Sequence, residues 1–134
     1  MQKRNEPISL LCTRICTFLV SCGGPYTEVN GDLQRAVLDG LASGQYTIRE
    51  AGGGIIFFAS FYRILPEDME AIRQFQRPDN ISTGPYLYIV EAGSKDGATE
   101  MMRTIRRMNF DATHMVGHRR GRLRKVRLQK GEII

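Results

Sequence analysis

The sequence predicts one mixed α/β domain spanning residues 1–134, in which helices flank a mostly antiparallel central sheet. A length of 134 residues suits a single hydrophobic core. Hydrophobic residues make up 42% of the chain and charged residues 25%, which are ordinary values for a globular domain. Along the chain, the apolar pattern alternates between the 3.6-residue repeat of helices and the two-residue repeat of strands. Taken in order, these segments predict the arrangement ααββ(α)βαββ, where the bracketed helix is short.

The first two segments are predicted to be helices. Residues 8–21 place Ile15 and Leu19 on one apolar stripe, as an amphipathic helix requires. Residues 31–43 form the second helix, and Gly44 suits the left-handed position after its end.

The N-terminal apolar segment also has features of a secretion signal. Leu19 to Gly23 looks like the cleavage box of a lipoprotein. However, Arg14 interrupts the apolar stretch, and the unbroken part, Ile15 to Val20, is shorter than the ~7–15 residues that a signal core needs. It is also too short to span a bilayer. We therefore expect residues 8–21 to fold onto the core, with no membrane span.

Residues 45–51 and 55–64 are predicted to pair as an antiparallel hairpin. The second segment is rich in aromatic and β-branched residues, and Gly52-Gly53-Gly54 supplies the turn. A proline followed by two acidic residues, Pro66-Glu67-Asp68, then marks the start of a short helix. We expect that helix to run to about Phe75.

The second half of the chain continues with a strand, a helix and two further strands. They occupy residues 85–92, 98–108, 112–118 and Arg122 to Lys130, with a glycine loop at 93–97 and a turn at Arg119-Arg120-Gly121. The helix is expected to face the core with Met101, Met102, Ile105 and Met108. Because a helical crossover joins parallel strands, the strands on either side of this helix are predicted to be parallel.

The cysteines and histidines indicate neither a disulfide framework nor a metal site. Cys12, Cys16 and Cys22 are odd in number and clustered near the N-terminus. The only histidines are His114 and His118, which are too few to complete a zinc site with them. We expect buried free thiols, no metal and a cytoplasmic location. His114 is expected to be half-buried and His118 to lie at the surface, neither with a partner nucleophile.

The positive charge is concentrated at the C-terminal end. Residues 1–102 carry 9 Lys and Arg against 12 Asp and Glu, whereas residues 103–134 carry 10 against 2. The predicted hairpin there, which we call the basic ribbon, contains Arg119, Arg120, Arg122, Arg124, Lys125 and Arg127. Such a surface favours an anionic partner, either nucleic acid or an acidic protein, although a solubilising strand edge has the same pattern.

The order of elements is that of the GNAT acyltransferases, and several segments resemble one GNAT-like family. The chain resembles the toxin-activating lysine acyltransferases, which transfer a fatty acyl group from acyl carrier protein to a protein lysine. The resemblance is carried, in order, by Glu6-Pro7-Ile8, Gly44-Gln45-Tyr46, the run Gly53 to Phe61, Thr83-Gly84, the run Tyr88 to Ala92 and the basic strand after Gly117. It implies a GNAT-like fold with an acyl-CoA or acyl-carrier-protein thioester as donor and a protein amine as acceptor.

One departure from that family concerns its histidine, which follows the first helix. The matching stretch is Gly24 to Glu28, with Thr27 at or near the histidine's position. Residues 1–113 contain no histidine. Either the histidine has been lost together with the activity, or this chain works differently.

Two neighbouring features form the candidate site. The resemblance places Glu91 at the family's catalytic aspartate, and a buried carboxylate at a strand end can act as a general base. The loop after it lies at a helix N-terminus, where backbone N–H groups can bind the phosphates of the donor. This donor-binding loop comprises Gly93, Ser94, Lys95, Asp96, Gly97 and Ala98. Both features also have plain alternatives, an acid paired with an arginine and an ordinary turn whose helix is capped by Asp96.

Three functions therefore remain open. The first is acyl transfer from a thioester to a protein amine, with an acidic acyl carrier protein as a candidate partner at the basic ribbon. The second is a non-catalytic interaction module that keeps the fold, for example in a phage-related setting. The third is nucleic-acid binding through the basic ribbon.

Overall fold

The structure is a computed structural model that describes residues 6–23 and 25–128. Within this part of the chain the helices are α1 (Ile8–Ser21), α2 (Gly31–Ser43), α3 (Met69–Arg73), which follows a 3-10 turn at Pro66–Asp68, and α4 (Ala98–Met108). The strands are β1 (Tyr46–Ala51), β2 (Gly54–Ile64), β3 (Tyr86–Ser94), β4 (His114–Arg119) and β5 (Arg122–Arg127). The predicted order of elements is confirmed.

The five described strands form a single sheet in the order β1-β2-β3-β4-β5. The pairs β1–β2, β2–β3 and β4–β5 are antiparallel, whereas β3 and β4 are parallel. The parallel pair is the one joined by α4, because a crossover helix returns the chain to the edge from which it left. The predicted mixed, mostly antiparallel sheet flanked by helices is therefore confirmed.

Apolar layers lie on both faces of the sheet. On one face, the buried stripe of α1 packs with Val37 of α2 and Phe58 of β2, and Ile15 and Leu19 of that stripe are fully buried. On the other face, Ile105 of α4 packs with residues of β2 and β3. The first helix is thus a core element, as its apolar spacing predicted. None of the described helices has both the length and the apolarity needed to cross a membrane.

Two glycines are required by the backbone. Gly44 ends α2 in the left-handed region, with φ of 74°. Gly84 lies where the chain passes against the end of β2, and a Cβ atom there would come within 1.8 Å of the carbonyl oxygen of Ile64. A side chain at Gly84 would therefore displace the segment that leads into β3.

The largest difference from the sequence prediction is at the end of β3. This strand continues to Ser94, because Gly93 and Ser94 pair with Phe58 and Phe57 of β2. The predicted glycine loop is therefore shorter, and its turn consists of Lys95 to Gly97.

Smaller differences concern helix ends and exposure. The helix after Pro66 ends at Arg73, two residues before the predicted end. Met108, which was expected to face the core, is 45% exposed because it lies in the last turn of α4, beyond the edge of the sheet. The last strand is described to Arg127, and the predicted continuation through Gln129 and Lys130 lies outside the described residues.

Candidate functional site

The strands β3 and β4 separate part-way along their length. They pair from Tyr86–His114 to Tyr88–Val116, after which β3 continues to Ser94 and β4 to Arg119 without further pairing. Beyond these three pairs β3 remains paired with β2 and β4 with β5, so the sheet opens between β3 and β4.

A β-bulge lies on the β3 side of this opening. Ser60 pairs with Glu91 and Phe61 pairs with Ile89, which leaves Val90 as an extra residue in β3. A bulge bends a strand and changes the direction of the side chains beyond it. Here it brings Glu91 to the face of the sheet that α1 and α2 cover.

A cleft of about 820 Å³ lies over that face. Glu91 and Tyr88 contribute to it from β3, and His118 contributes from β4. The residues lining it from other elements include Tyr26, Leu33, Asp39, Tyr62, Phe75 and Arg77. The cleft therefore collects side chains from both strands of the opening, from β2, from α2 and from the segments that precede α2 and follow α3.

Glu91 is held in the cleft beside a tyrosine. The hydroxyl of Tyr26 accepts a hydrogen bond from the backbone N–H of Ala92 at 3.1 Å. Burial raises the pKa of the Glu91 carboxyl, and the hydroxyl of the neighbouring Tyr26 acts in the opposite direction. Burial, together with the nearby Glu91, also raises the pKa of the Tyr26 phenol.

No arginine or lysine of residues 6–23 and 25–128 forms an ion pair with Glu91, so the paired-acid alternative does not describe it. A carboxyl that burial favours in its neutral form accepts a proton more readily than an exposed one. Glu91 is therefore a half-buried acid whose charge no cation of the described residues neutralises.

The loop after β3 forms a second, more open hollow of about 460 Å³, lined by residues Ser94 to Thr99. The Asp96 carboxylate accepts a hydrogen bond from the N–H of Gly97 at 2.8 Å. Gly97 itself is the residue before α4, with φ of 79°, and no side chain caps the first turn of the helix. The N–H groups of that turn are left for another partner, and a helix N-terminus of this kind attracts anions.

Lys95 does not point into this hollow. Its ammonium group lies 5.8 Å from the ring centroid of Phe18, toward α1. The positive character of the hollow comes from the backbone of α4 and is opposed by the charge of Asp96.

The comparisons with known proteins agree with this geometry at the level of the fold. No protein-family model matches the chain, and no curated protein is a significant sequence match. A GNAT family acetyltransferase from Brucella melitensis, solved in complex with acetyl-CoA, is similar in structure, with a TM-score of 0.55 and 12% sequence identity. The match covers 96% of this chain and 91% of that one. This protein has a GNAT fold. At 12% identity, the likeness shows the fold and not the activity.

The segment after α1, which contains no histidine, contributes Tyr26 to the cleft. Thr27, the residue at or near the histidine's position, is exposed, whereas its neighbour Tyr26 enters the cleft and reaches β3. No spacing pattern singled out Tyr26, because its partner lies 66 residues away. Among the described residues, no group of three or more metal-ligating side chains converges.

The prediction that His118 lies at the surface is wrong. The imidazole is half-buried, stacked on Phe75 with ring centroids 4.1 Å apart and edge-on to Tyr88 at 5.9 Å. The strand carries His118 into the cleft because it is two residues beyond Val116, on the same side of β4. His114 is half-buried, as predicted, and lies edge-on to Tyr86 at 5.0 Å.

The basic ribbon is a β-hairpin whose cations are exposed. Its turn, Arg120-Gly121, has positive φ at both residues, as a two-residue hairpin loop requires. All six predicted residues (Arg119, Arg120, Arg122, Arg124, Lys125 and Arg127) are exposed, and within the described part of the chain none forms an ion pair. Lys125 is partly engaged, since its ammonium group lies 3.2 Å from the hydroxyl of Tyr86. The ribbon thus presents a large uncompensated charge.

Proposed function

We propose that this protein transfers an acyl group from a coenzyme A thioester to an amine, with Glu91 as the general base. The observation that carries the proposal is the position of Glu91 at the opening between β3 and β4, on the strand that leads through a short turn to a helix N-terminus that no side chain caps. A base beside an opening for the acyl group and a site for the donor's phosphates are the two parts that this reaction needs. The likeness to an acetyl-CoA-bound GNAT acetyltransferase supports the same function.

The donor would bind through its phosphates at the start of α4. Backbone N–H groups at a helix N-terminus bind phosphate, and glycine allows the phosphate to approach closely. Gly97 has a positive φ, and a Cβ atom there would lie 3.3 Å from the ring of Phe57. Gly93, Ser94, Lys95, Asp96 and Ala98 complete the proposed donor-binding segment, whose pantetheine arm would lie in the opening between β3 and β4.

The reaction is a nucleophilic substitution at the thioester carbon. The nitrogen of the neutral amine attacks that carbon, a C–N bond forms and the C–S bond breaks. Glu91 takes the proton that the nitrogen loses and returns it to the departing thiolate. Because burial raises the pKa of Glu91, the carboxylate is a stronger base than an exposed glutamate would be.

The finer assignments follow from the resemblance to the toxin-activating lysine acyltransferases. We infer a lysine side chain of a protein as the acceptor, and the cytoplasm as the place of reaction. Acyl carrier protein, which is acidic, would dock on the basic ribbon and serve as an alternative donor. Tyr26, which is hydrogen-bonded to the backbone of Ala92 beside Glu91, would take over the orienting role for which the family uses a histidine.

The test combines donor binding and transfer. Acetyl-CoA and acyl carrier protein thioesters are titrated into the protein by calorimetry, and transfer to lysine-containing peptides is followed by mass spectrometry. Glu91→Gln should lower the transfer rate by about 10²-fold or more and leave donor affinity unchanged, since the amide keeps the shape but cannot accept the proton. Gly97→Val should abolish donor binding, because valine is strained at this positive φ and crowds the ring of Phe57, which displaces the turn that would hold the phosphate.

Glu67→Gln serves as the matched control, because Glu67 is exposed and lies outside the cleft. It should change neither quantity. If the unmodified protein binds no thioester and acylates no peptide, the protein is a non-catalytic interaction module with a GNAT fold.

A second candidate function is binding to nucleic acid or another polyanion. The six exposed cations of the basic ribbon favour it, because none is neutralised by an acid of the described residues. The two functions are compatible, since the ribbon and the cleft use different side chains.

A further inference from the structure

Phe75 is in a backbone conformation that phenylalanine rarely adopts. It follows α3 in the left-handed region with φ of 57°. Its N–H donates to the carbonyl of Ile72 at 3.0 Å, and the N–H of Gln76 donates to the carbonyl of Ala71 at 2.8 Å. These two bonds form the Schellman motif that ends many helices, in which this position is usually glycine. A residue with a Cβ atom is strained in this conformation.

The ring of Phe75 is exposed, so hydrophobic burial does not offset this strain. Phe75 is 78% exposed, and one face of its ring is stacked on the His118 imidazole at an interplanar angle of 13°. His118 is in turn held edge-on by Tyr88. The ring is therefore supported from beneath, while its other face is open at the rim of the cleft. Strained residues of this kind cluster at ligand-binding sites.

We propose that Phe75, supported by His118, is an aromatic platform that selects the acceptor by the side chain next to its reactive lysine. The proposal rests on the proposed acyl transfer. The expected ligand is a peptide with a large apolar or aromatic side chain within two residues of that lysine. A planar ring gains most, because two stacked or edge-on rings attract each other beyond the burial of their area.

The span between the platform and the base fits this ligand. Two residues, Ile89 and the bulged Val90, lie between Tyr88 and Glu91, so the two Cα atoms are at most about 10 Å apart. His118 and Phe75 lie on the Tyr88 side of that span. An extended lysine side chain, with one or two residues of extended backbone at ~3.3 Å each, covers this distance.

The charged side chains near the platform do not compete for the ligand. Asp39 accepts hydrogen bonds from Arg77 at 2.9 Å and from the hydroxyl of Tyr62 at 3.2 Å. The arginine and the carboxylate therefore neutralise each other, and the apolar face of Phe75 is the distinguishing feature of this end of the cleft.

The experiment compares three dipeptide amides, Phe-Lys, Leu-Lys and Ala-Lys, whose N-terminus is blocked by an acetyl group and whose lysine side chain is free. Their acylation by acetyl-CoA is measured as kcat and KM, and their affinity is measured separately by calorimetry without donor. The unmodified protein should prefer Phe-Lys to Ala-Lys by about three- to tenfold, through KM rather than kcat. Phe75→Asn should lower the ratio of the Ala-Lys KM to the Phe-Lys KM to about one, because asparagine tolerates the left-handed conformation but has no ring to stack on.

Two variants keep the test specific. Phe75→Tyr retains the ring and should retain the preference. Phe110→Asn removes another exposed phenylalanine, 71% exposed and outside the cleft, and should change nothing. A preference that survives in Phe75→Asn, or equal affinity of the unmodified protein for all three peptides, would overturn the platform.

The separate affinity measurement distinguishes a failure of the proposed acyl transfer from a failure of the proposed platform. If the peptides bind with the expected preference but are not acylated, the proposed reaction is wrong and the platform stands as a peptide-binding site. If all three are acylated equally well, the reaction stands and the platform is wrong.

Discussion

At the scale of single residues, Glu91 is the group whose environment is most informative. Burial raises the pKa of its carboxyl, and the hydroxyl of the neighbouring Tyr26 opposes that rise. Because no cation of the described residues pairs with it, the raised pKa has a consequence for stability as well as for catalysis.

The stability of the protein should therefore depend on pH through Glu91. With a folded pKa above the unfolded value of about 4.3, the native state binds more protons in the window between the two. Stability contributed by this group is present below pH ~4.3 and is lost as the pH rises through the folded pKa. Glu91→Gln should consequently be more stable than the unmodified protein at pH 7 and show no such gain near pH 4, as measured by urea unfolding.

The exposed Glu67→Gln variant is the control for that comparison, and its difference from the unmodified protein should be the same at both pH values. A Glu91→Gln variant that is less stable than the unmodified protein at pH 7 would contradict the burial of the carboxyl.

At the scale of elements, the junction between β3 and α4 determines how a donor can bind. The turn Lys95 to Gly97 leaves the first N–H groups of α4 without a side-chain cap. Asp96 nevertheless places a negative charge beside them, since its carboxylate accepts from the N–H of Gly97. The helix and the acid thus act in opposite directions on an incoming phosphate.

Removing that charge should tighten donor binding. Asp96→Asn keeps an oxygen that can accept from Gly97 while it removes the repulsion, so acetyl-CoA should bind about two- to fivefold more tightly. Calorimetry at low ionic strength measures the change, and added salt should reduce it. Asp79→Asn, at an exposed acid outside both hollows, is the control. Unchanged or weaker donor binding in Asp96→Asn would argue against a phosphate site at this junction.

At the scale of the whole molecule, the charge is strongly polarised. The part of the chain up to residue 102 is acidic overall, and the remainder holds 10 of the 19 Lys and Arg residues. The structure gathers six of these cations on one hairpin at the edge of the sheet. An edge strand with exposed charges also resists pairing with other chains, so the ribbon has a structural use whether or not it binds a partner.

A triple variant separates these uses. Replacing Arg122, Arg124 and Arg127 by Gln should make the affinity for a double-stranded oligonucleotide less dependent on salt. The slope of log affinity against log salt concentration should fall in magnitude by about 0.9 for each phosphate that the ribbon no longer neutralises. The fold should remain intact, as judged by circular dichroism, because these side chains are exposed. The control is the pair Arg35→Gln and Arg73→Gln, whose arginines are exposed but already paired with acids. If affinity and slope are unchanged in the triple variant, the ribbon is a protective strand edge only.

The helices and strands and their order could be predicted from the sequence, because each is specified by local periodicity and turn chemistry. The apolar stripe with Ile15 and Leu19 predicted that one face of α1 is buried, and Gly44 predicted where α2 ends. The parallel pairing of β3 and β4 followed from the crossover rule alone. Glu91 and the segment after it were also identified from the sequence, through a family resemblance and the physics of helix N-termini.

The residues that surround Glu91 could be identified only from the tertiary structure. The cleft brings together Tyr26, Phe75 and His118, which belong to three separate parts of the chain and share no sequence spacing. The bulge at Val90 depends on the register between β2 and β3, and a register is a property of two strands rather than of one. Periodicity reports which face of an element is apolar, but long-range pairing determines which polar groups meet at its end. For that reason the site residues contributed by other elements had to be found from the structure.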